Sequence, residues 1–253
     1  MIRLLLATLL CLVTVPVQGE EVVLGMSQDE VAITATFDGS NILVFGAVKR
    51  ETEIPDSALH VIVTISGPSQ PVLVRRKENI YGIWANRDSV MVDAAPSFYA
   101  VATSGPWEQV LRETEDLRHK VSINRAIRSV GAPMDVGDPQ SFSEALVRIR
   151  TEQGLYQLLE KTVAVDQQTL FRTAIDMPSN LTEGDYITKI FLTRGGEVVS
   201  EFETSIDVRK VGLERILFRL SRDNPLAYGF LALAIAIAAG WLASAAFQFI
   251  RAR

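Results

Sequence analysis

The stretch that decides the fold is VAITATFDGSNILVFG, residues 31–46. Along Val31-Ala32-Ile33-Thr34-Ala35-Thr36-Phe37 the pattern has period two, the spacing of a strand whose side chains leave alternate faces. Asp38-Gly39-Ser40-Asn41 supplies turn chemistry, and Ile42-Leu43-Val44-Phe45-Gly46 returns as a second apolar run, so the stretch predicts a β-hairpin.

The same signal continues outward. His60 to Ile65 is a β-branched run ended by Ser66-Gly67-Pro68, and Pro71-Val72-Leu73-Val74 follows. Ile80 to Ala85 and Phe98 to Thr103 complete a set of short strands, and residues 20–104 read as an N-terminal β-sandwich module. Between 105 and 160 the period changes to a helical one. Pro106 suits a first turn, Trp107 to Lys120 carries Val110, Leu111 and Leu117 for packing, and a second helix opens at Ser141 with Glu144 in capping-box spacing. Leu146, Ile149, Tyr156 and Leu159 form its apolar stripe, and a Gly- and Pro-rich loop from Gly131 to Pro139 separates the two helices. The β signal resumes over 161–209, where Leu170 to Ile175 alternates and Tyr186 to Thr193 pairs across Arg194-Gly195-Gly196 with Val198 to Val208. Pro178, the Gly184 turn and Tyr186 resemble the closing half of an immunoglobulin-like domain. The fold class is therefore mainly β with a helical insertion (α+β). The body is an immunoglobulin-like sandwich in which the late strands either complete the first module or form a smaller second one.

Two apolar segments bracket this body. Residues 1–19 read as a signal peptide: Arg3 precedes the run Leu4 to Val15, Pro16 ends it, and cleavage is expected after Gly19, with an uncleaved anchor as the alternative. Cys11 lies inside this run with no small residue just before it, which argues against lipidation. Residues 226–250 contain no charged residue and read as a transmembrane helix, leaving 251–253 as a tail. Before the span, residues 210–225 read as an amphipathic juxtamembrane segment. Leu213, Ile216, Leu217 and Leu220 share one face, with Arg215, Arg219 and Arg222 beside or opposite, a pattern suited to anionic headgroups.

Charge counting and the leader disagree about orientation. Arg209, Lys210, Arg215, Arg219 and Arg222 precede the span while Arg251 and Arg253 follow it, which by itself favours a cytoplasmic body. A translocating leader commits the following domain, however, and the later span then stops transfer. The expected location is the bacterial inner membrane, with the body in the periplasm and a short cytoplasmic tail.

Removing Arg3 with the leader leaves 24 basic against 30 acidic residues, a net charge of −6, so the mature chain is mildly acidic and nucleic acid is not an expected partner. It also has no cysteine, so its stability must come from an ordinary core. His60 and His119 lack metal-ligand spacing, and no G-x-S-x-G, S-x-x-K, P-loop or H-E-x-x-H pattern occurs. Glu113 with Asp116, and Glu152 with Glu160, read as solvated helix charges rather than an acid and a base. No catalytic residue, metal or cofactor is expected.

Two surfaces remain as binding candidates. Arg75-Arg76-Lys77 with Trp84 and Asn86 form a partner-binding candidate, set against the reading that the cations guard a sheet edge while Trp84 fills the core. In the span, Ala232, Ala236, Gly240 and Ser244 recur every fourth residue and offer a ridge for close approach of another helix, in a segment already rich in alanine.

Phe37-Asp38-Gly39 with Val44-Phe45-Gly46-Ala47, Ser66-Gly67-Pro68 through Val74-Arg75-Arg76-Lys77, Gly82-Ile83-Trp84-Ala85-Asn86, Phe98-Tyr99-Ala100-Val101 and the C-terminal span carry a resemblance. Through them the chain resembles the Alph_Pro_TM family of single-pass alphaproteobacterial membrane proteins. The resemblance implies no chemistry. It implies an accessory role beside a transporter, since members are found near sulfite-exporter-type permeases. The expected function is thus a non-enzymatic interaction protein in contact with the lipid bilayer and with a membrane-protein partner, or with itself through the span. The alternative is an envelope enzyme or small-ligand receptor whose site is assembled from scattered polar residues.

Overall fold

The computed structural model of the chain describes residues 20–34, 37–50, 54–128, 138, 140–210 and 213–251. The expected leader and most of the loop from Gly131 to Pro139 lie outside the described residues. In chain order the elements begin with β1 (Glu21–Met26), β2 (Glu30–Ile33), β3 (Ser40–Lys49), β4 (Leu59–Ser66), β5 (Ser69–Ile80), β6 (Ile83–Pro96) and β7 (Tyr99–Thr103). Helices α1 (Trp107–Val110), α2 (Glu113–His119), α3 (Ile123–Ala126) and α4 (Gln140–Glu152) follow. Next come β8 (Tyr156–Leu159), β9 (Ala164–Asp166), β10 (Leu170–Met177), β11 (Gly184–Arg194) and β12 (Glu197–Lys210), then α5 (Leu213–Asp223) and α6 (Pro225–Arg251). The protein is mainly β, with a few helices and a C-terminal apolar helix. The chain divides into two units, one of residues up to 30 with 38–207, the other of 31–37 with the residues from 208 onward.

In the first unit a four-stranded antiparallel sheet has the order β1-β3-β10-β9. Its buried face carries Ile42, Val44, Val48, Phe171, Ile175 and Met177, while Leu43 and Phe45 on the other face are exposed. The other sheet runs β12-β11-β4-β7-β8 within this unit. Here β4 and β7 are buried on both faces, because β10 contacts β7 on one side and helices cover the other. The helical side is fixed by Tyr99 Oη donating to Val121 O (2.8 Å), Thr193 Oγ1 donating to Val110 O (2.6 Å), and an edge contact between the His119 and Phe191 rings. Burial on both faces accounts for the unbroken apolar run from Val61 to Val63.

β7 pairs with β8 in parallel, Tyr99 opposite Tyr156 and Ala102 opposite Leu159. Parallel neighbours need a long crossover, and the helical insertion α1 to α4 is that crossover. Tyr156 and Leu159, expected on the second helix, accordingly lie on this strand, since the helix gives way at Gly154 with φ +71°. The stretch from Trp107 to Lys120 is likewise two short helices. Leu111 and Arg112 are extended, and Arg112 N donates to Gly196 O at 2.9 Å. The break rotates Leu117 outward and turns Glu115 and Asp116 inward, where Asp116 Oδ1 accepts from Val121 N and Ser122 N. At α4 the capping role falls to Asp138, whose Oδ1 accepts from Ser141 N (3.3 Å), rather than to a Ser141–Glu144 box.

The expected hairpin over 31–46 does not form. β3 pairs with β1 and β10, while β2 joins β12. The late strands β9 and β10 complete the sheet begun by β1 and β3, and β11 lies directly beside β4. At the start of β11, Tyr186 Oη donates to Thr182 O at 2.8 Å, a local corner.

Close contact between strands explains one glycine. A Cβ on Gly46 would lie 2.5 Å from the Phe171 ring and 2.8 Å from Val23 O, and that ring is itself buried. Gly46→Val is expected to destabilise the fold by about 1–3 kcal/mol through overpacking, read as a lower chemical-denaturation midpoint with unchanged slope.

In the second unit, β2 pairs with β12, and α5 is followed by α6 with Pro225 at the first helical position. The Lys210 ammonium lies 4.7 Å and the Arg222 guanidinium 5.6 Å from the centre of the Phe218 ring. The side chains of Leu213, Arg215, Ile216 and Arg219 lie outside the described residues. Within α6, Pro225–Ser244 has a mean hydropathy of 2.0 with none of it buried by protein, and is long and apolar enough to cross a membrane.

Candidate functional site

β5 and β6 leave both sheets and pair with each other as a two-stranded ribbon, with an isolated bridge from Ala94 of β6 to Arg128. Its base is held because Val72 and Val74 pack with Val92, Ala95 and Leu146, the last from α4. Beyond Val74 and Val90 the core ends and the side chains open to solvent. Arg75 lies opposite Ser89, Arg76 opposite Asp88 and Lys77 opposite Asn86, with a register shift between Arg76 and Lys77. Such a shift bends the ribbon and re-aims the residues beyond it.

The five predicted site residues fall into two groups along this ribbon. Arg76 folds back on α4, its guanidinium 4.5 Å from the centre of the Phe142 ring and its Nη2 donating to Ser141 Oγ at 2.5 Å. With Arg75, Lys77 and Arg148 it lines a cleft of about 690 Å³ in which Glu144 is the acidic residue. Trp84 belongs to the far end, opposite Asn79, and is 66% exposed, so the reading that it fills the core is overturned. Asn86, also exposed, lies opposite Lys77 and so belongs with the cations.

The end of the ribbon holds residues that sequence reasoning missed. Ile80-Tyr81-Gly82-Ile83 reads as a strand, yet Tyr81 and Gly82 form a two-residue turn with φ +52° and +86°. Asn79 Oδ1 accepts from Gly82 N at 2.8 Å and closes it. Positive φ at both central residues is the primed hairpin geometry that favours Asn-Gly, and a tyrosine at the first place costs roughly 1 kcal/mol. The consequence is that Tyr81 is 102% exposed, with Ile83 at 72% beside it. Behind them Arg87 Nη1 pairs with Glu78 Oε2 at 2.7 Å. The local cue, a residue-Gly pair, stands between Ile80 and Ile83, whose β-branched side chains read as a continuing strand.

Other polar clusters are internally satisfied. His119 Nδ1 lies 3.1 Å from Glu201 Oε2 and its Nε2 lies 3.5 Å from Glu115 Oε2, while Lys189 pairs with Glu201 at 2.9 Å and Glu203 at 3.0 Å. Burial alone would raise Glu201 and lower Lys189, but their mutual hydrogen bond prevails and strengthens the charge on each. His60, 3.3 Å from Ser104 Oγ, is held toward its neutral form by burial. Burial pushes the Tyr156 phenol up to about 12, and its Oη donates to Pro96 O at 2.8 Å. Among the described residues no group of three or more His, Cys, Asp or Glu side chains is placed to hold a metal ion.

Ala232, Ala236, Gly240 and Ser244 lie along α6 at positions without protein cover, and a Cβ on Gly240 would meet open space. The ridge is thus available to another helix, although small residues alone do not specify one.

No curated protein matches the chain. The model of one family, described as Putative transmembrane protein (Alph_Pro_TM), matches residues 21–249, which covers β1 through nearly all of α6. With a span-length apolar helix at its C-terminal end and a mainly β body before it, this chain belongs to the Alph_Pro_TM family of transmembrane proteins.

Proposed function

We propose that the protein is a non-enzymatic interaction module anchored in the bacterial inner membrane, its body in the periplasm and its tail in the cytoplasm, that serves a transporter or another envelope membrane protein. One observation carries this reading. The β5–β6 ribbon leaves the sheets and displays Arg75, Arg76, Lys77 and Arg148 around an open cleft, in a chain whose net charge is −5. A concentrated basic patch on an acidic protein is suited to an acidic partner surface. The leader pattern supports the orientation, and the immunoglobulin-like reading of the body rests on the Tyr186 corner.

The test is purification of tagged full-length protein from native membranes in mild detergent, with mass spectrometry, for the wild type, Arg75→Glu/Arg148→Glu and Gly240→Leu. A membrane protein that co-purifies with the wild type and is depleted at least tenfold in the charge-reversal variant is the expected result, since like charges across an interface cost more than 1.4 kcal/mol. Loss in Gly240→Leu alone would move the contact to the span. Recovery of every form without a partner would remove the reading. The alternative, a small-ligand receptor, is favoured by the same cleft. It predicts that a small anion raises the thermal midpoint of the wild type and not of the charge-reversal variant.

A further inference from the structure

We propose that the tip of the β5–β6 ribbon, Ile80 to Trp84, docks in the lipid–water interface of an anionic membrane. The inference deepens the interaction reading and rests on it only for the membrane anchor.

The ribbon is graded along its length as a membrane interface is graded in depth. At the turn stand Ile80, Tyr81, Ile83 and Trp84, which are 41%, 102%, 72% and 66% exposed. From Asn79 to Asn86 the chain has no charged residue. Glu78 and Arg87 come next, paired with each other, and Lys77 follows Glu78, so the first charges stand about three to five residues behind the turn, or roughly 10–17 Å at 3.3 Å per residue. An interfacial segment sinks about 5–10 Å into the boundary between headgroups and acyl chains, so aliphatic and aromatic side chains at the turn enter while Lys77 stays at the phosphates and Glu78 stays paired with Arg87. Tyr and Trp are the residue types that favour this layer, since each has an apolar body and a polar handle.

Charge favours the same occupant. From 75 to 88 the ribbon carries Arg75, Arg76, Lys77 and Arg87 against Glu78 and Asp88, a positive excess in a chain whose net charge is −5. Glu78 is neutralised by Arg87 at 2.7 Å. A narrow turn offers far less than the roughly 800 Å² per partner of a standard protein interface, whereas a fluid interface moulds itself to a small insertion. The left-handed Tyr81 makes sense in this setting, because it leaves a ring fully exposed at the end of the ribbon at a backbone cost that packing within the protein does not repay. A chain held in a membrane by α6 also keeps the tip at high effective concentration relative to lipid, so a shallow insertion is enough.

The chain has three tryptophans, and Trp107→Phe with Trp241→Phe leaves Trp84 as the sole reporter. This full-length protein is reconstituted in nanodiscs of phosphatidylcholine, alone or mixed with phosphatidylglycerol, with and without brominated acyl chains. The expected result is blue-shifted Trp84 emission, quenched by brominated lipid and strengthened by phosphatidylglycerol. Lys77→Gln is expected to lower the docked-to-free ratio about fivefold, the effect of one cation near an anionic surface. Ile83→Ser is expected to reduce quenching further, with circular dichroism unchanged. Water-exposed emission insensitive to brominated lipid overturns the proposal. So does a blue shift without quenching that grows with the number of chains per disc, which would assign the tip to a second copy. Neither outcome touches the co-purification result, which reads Arg75 and Arg148, so the two failures are separable.

Discussion

Ile235→Arg combined with Ala238→Arg is expected to convert the protein from an integral membrane species into one extracted by alkaline carbonate. Both positions lie in Pro225–Ser244, the apolar part of α6, and nothing in the protein covers that stretch. An arginine at the centre of a membrane helix costs about 2.5–3.5 kcal/mol, so two cost roughly 6 kcal/mol and outweigh the apolar residues that favour insertion. Fractionation of the double variant is the measurement, with Gly240→Leu as the comparison that retains insertion while filling the small-residue ridge. Retention of the double-arginine chain in the carbonate pellet would show that another segment anchors the protein.

Glu20→Ala is expected to cost the body about 3 kcal/mol, with a fall in thermal midpoint of roughly 6–12 °C for a domain of this size. Glu20 Oε1 accepts from Arg50 Nε at 2.6 Å and from Arg194 Nη2 at 2.8 Å, and the three side chains are only 12%, 7% and 9% exposed. Every guanidinium nitrogen has a partner: Arg50 also reaches Gln168 O and Thr169 Oγ1, and Arg194 also reaches Ser57 O and Gln168 Oε1. One carboxylate thereby joins the beginning of β1, the end of β3 and the end of β11. Its removal leaves two poorly hydrated cations near each other without their counter-charge. Burial by itself would raise the Glu20 pKa, but the hydrogen bonds from Arg194 and Arg50 prevail and hold it below the usual carboxylate value. A depressed folded-state pKa means that the stabilisation is complete above the unfolded value of about 4.3 and is lost as pH falls through the folded value. Wild type and Glu20→Gln are therefore expected to differ in denaturation midpoint at pH 7 and to converge as pH drops below about 4. A constant difference across that range would sink the assignment.

Neither the ion cluster nor the ribbon tip was legible in the sequence, for the same reason. Glu20, Arg50 and Arg194 are separated by 30 to 174 positions, and no local pattern links them. Trp84 in an apolar run reads equally well as core or as surface, because alternation marks two faces without saying which is covered. The turn at Tyr81-Gly82 was masked by β-branched neighbours on both sides, and left-handed tyrosine is not what turn chemistry leads one to expect. The hairpin over 31–46 failed in the opposite sense. Its local signal was good, but β3 found longer partners in β1 and β10, where Ile42 and Val44 are fully buried.

What the sequence determined by itself was whatever depends on neighbouring residues: β character before and after a helical insertion, the turn at Gly195-Gly196, and an uncharged run long enough to span a bilayer. Periodicity and length set these directly, since each is a property of a few consecutive side chains. The tertiary structure decided which strands pair, that the insertion serves as the crossover between parallel β7 and β8, and that the β5–β6 ribbon stands apart with its aromatic tip in solvent. Those outcomes follow from the burial and hydrogen bonding of the whole body at once, and long-range pairing is chosen by total apolar surface covered rather than by the local pattern of any one strand.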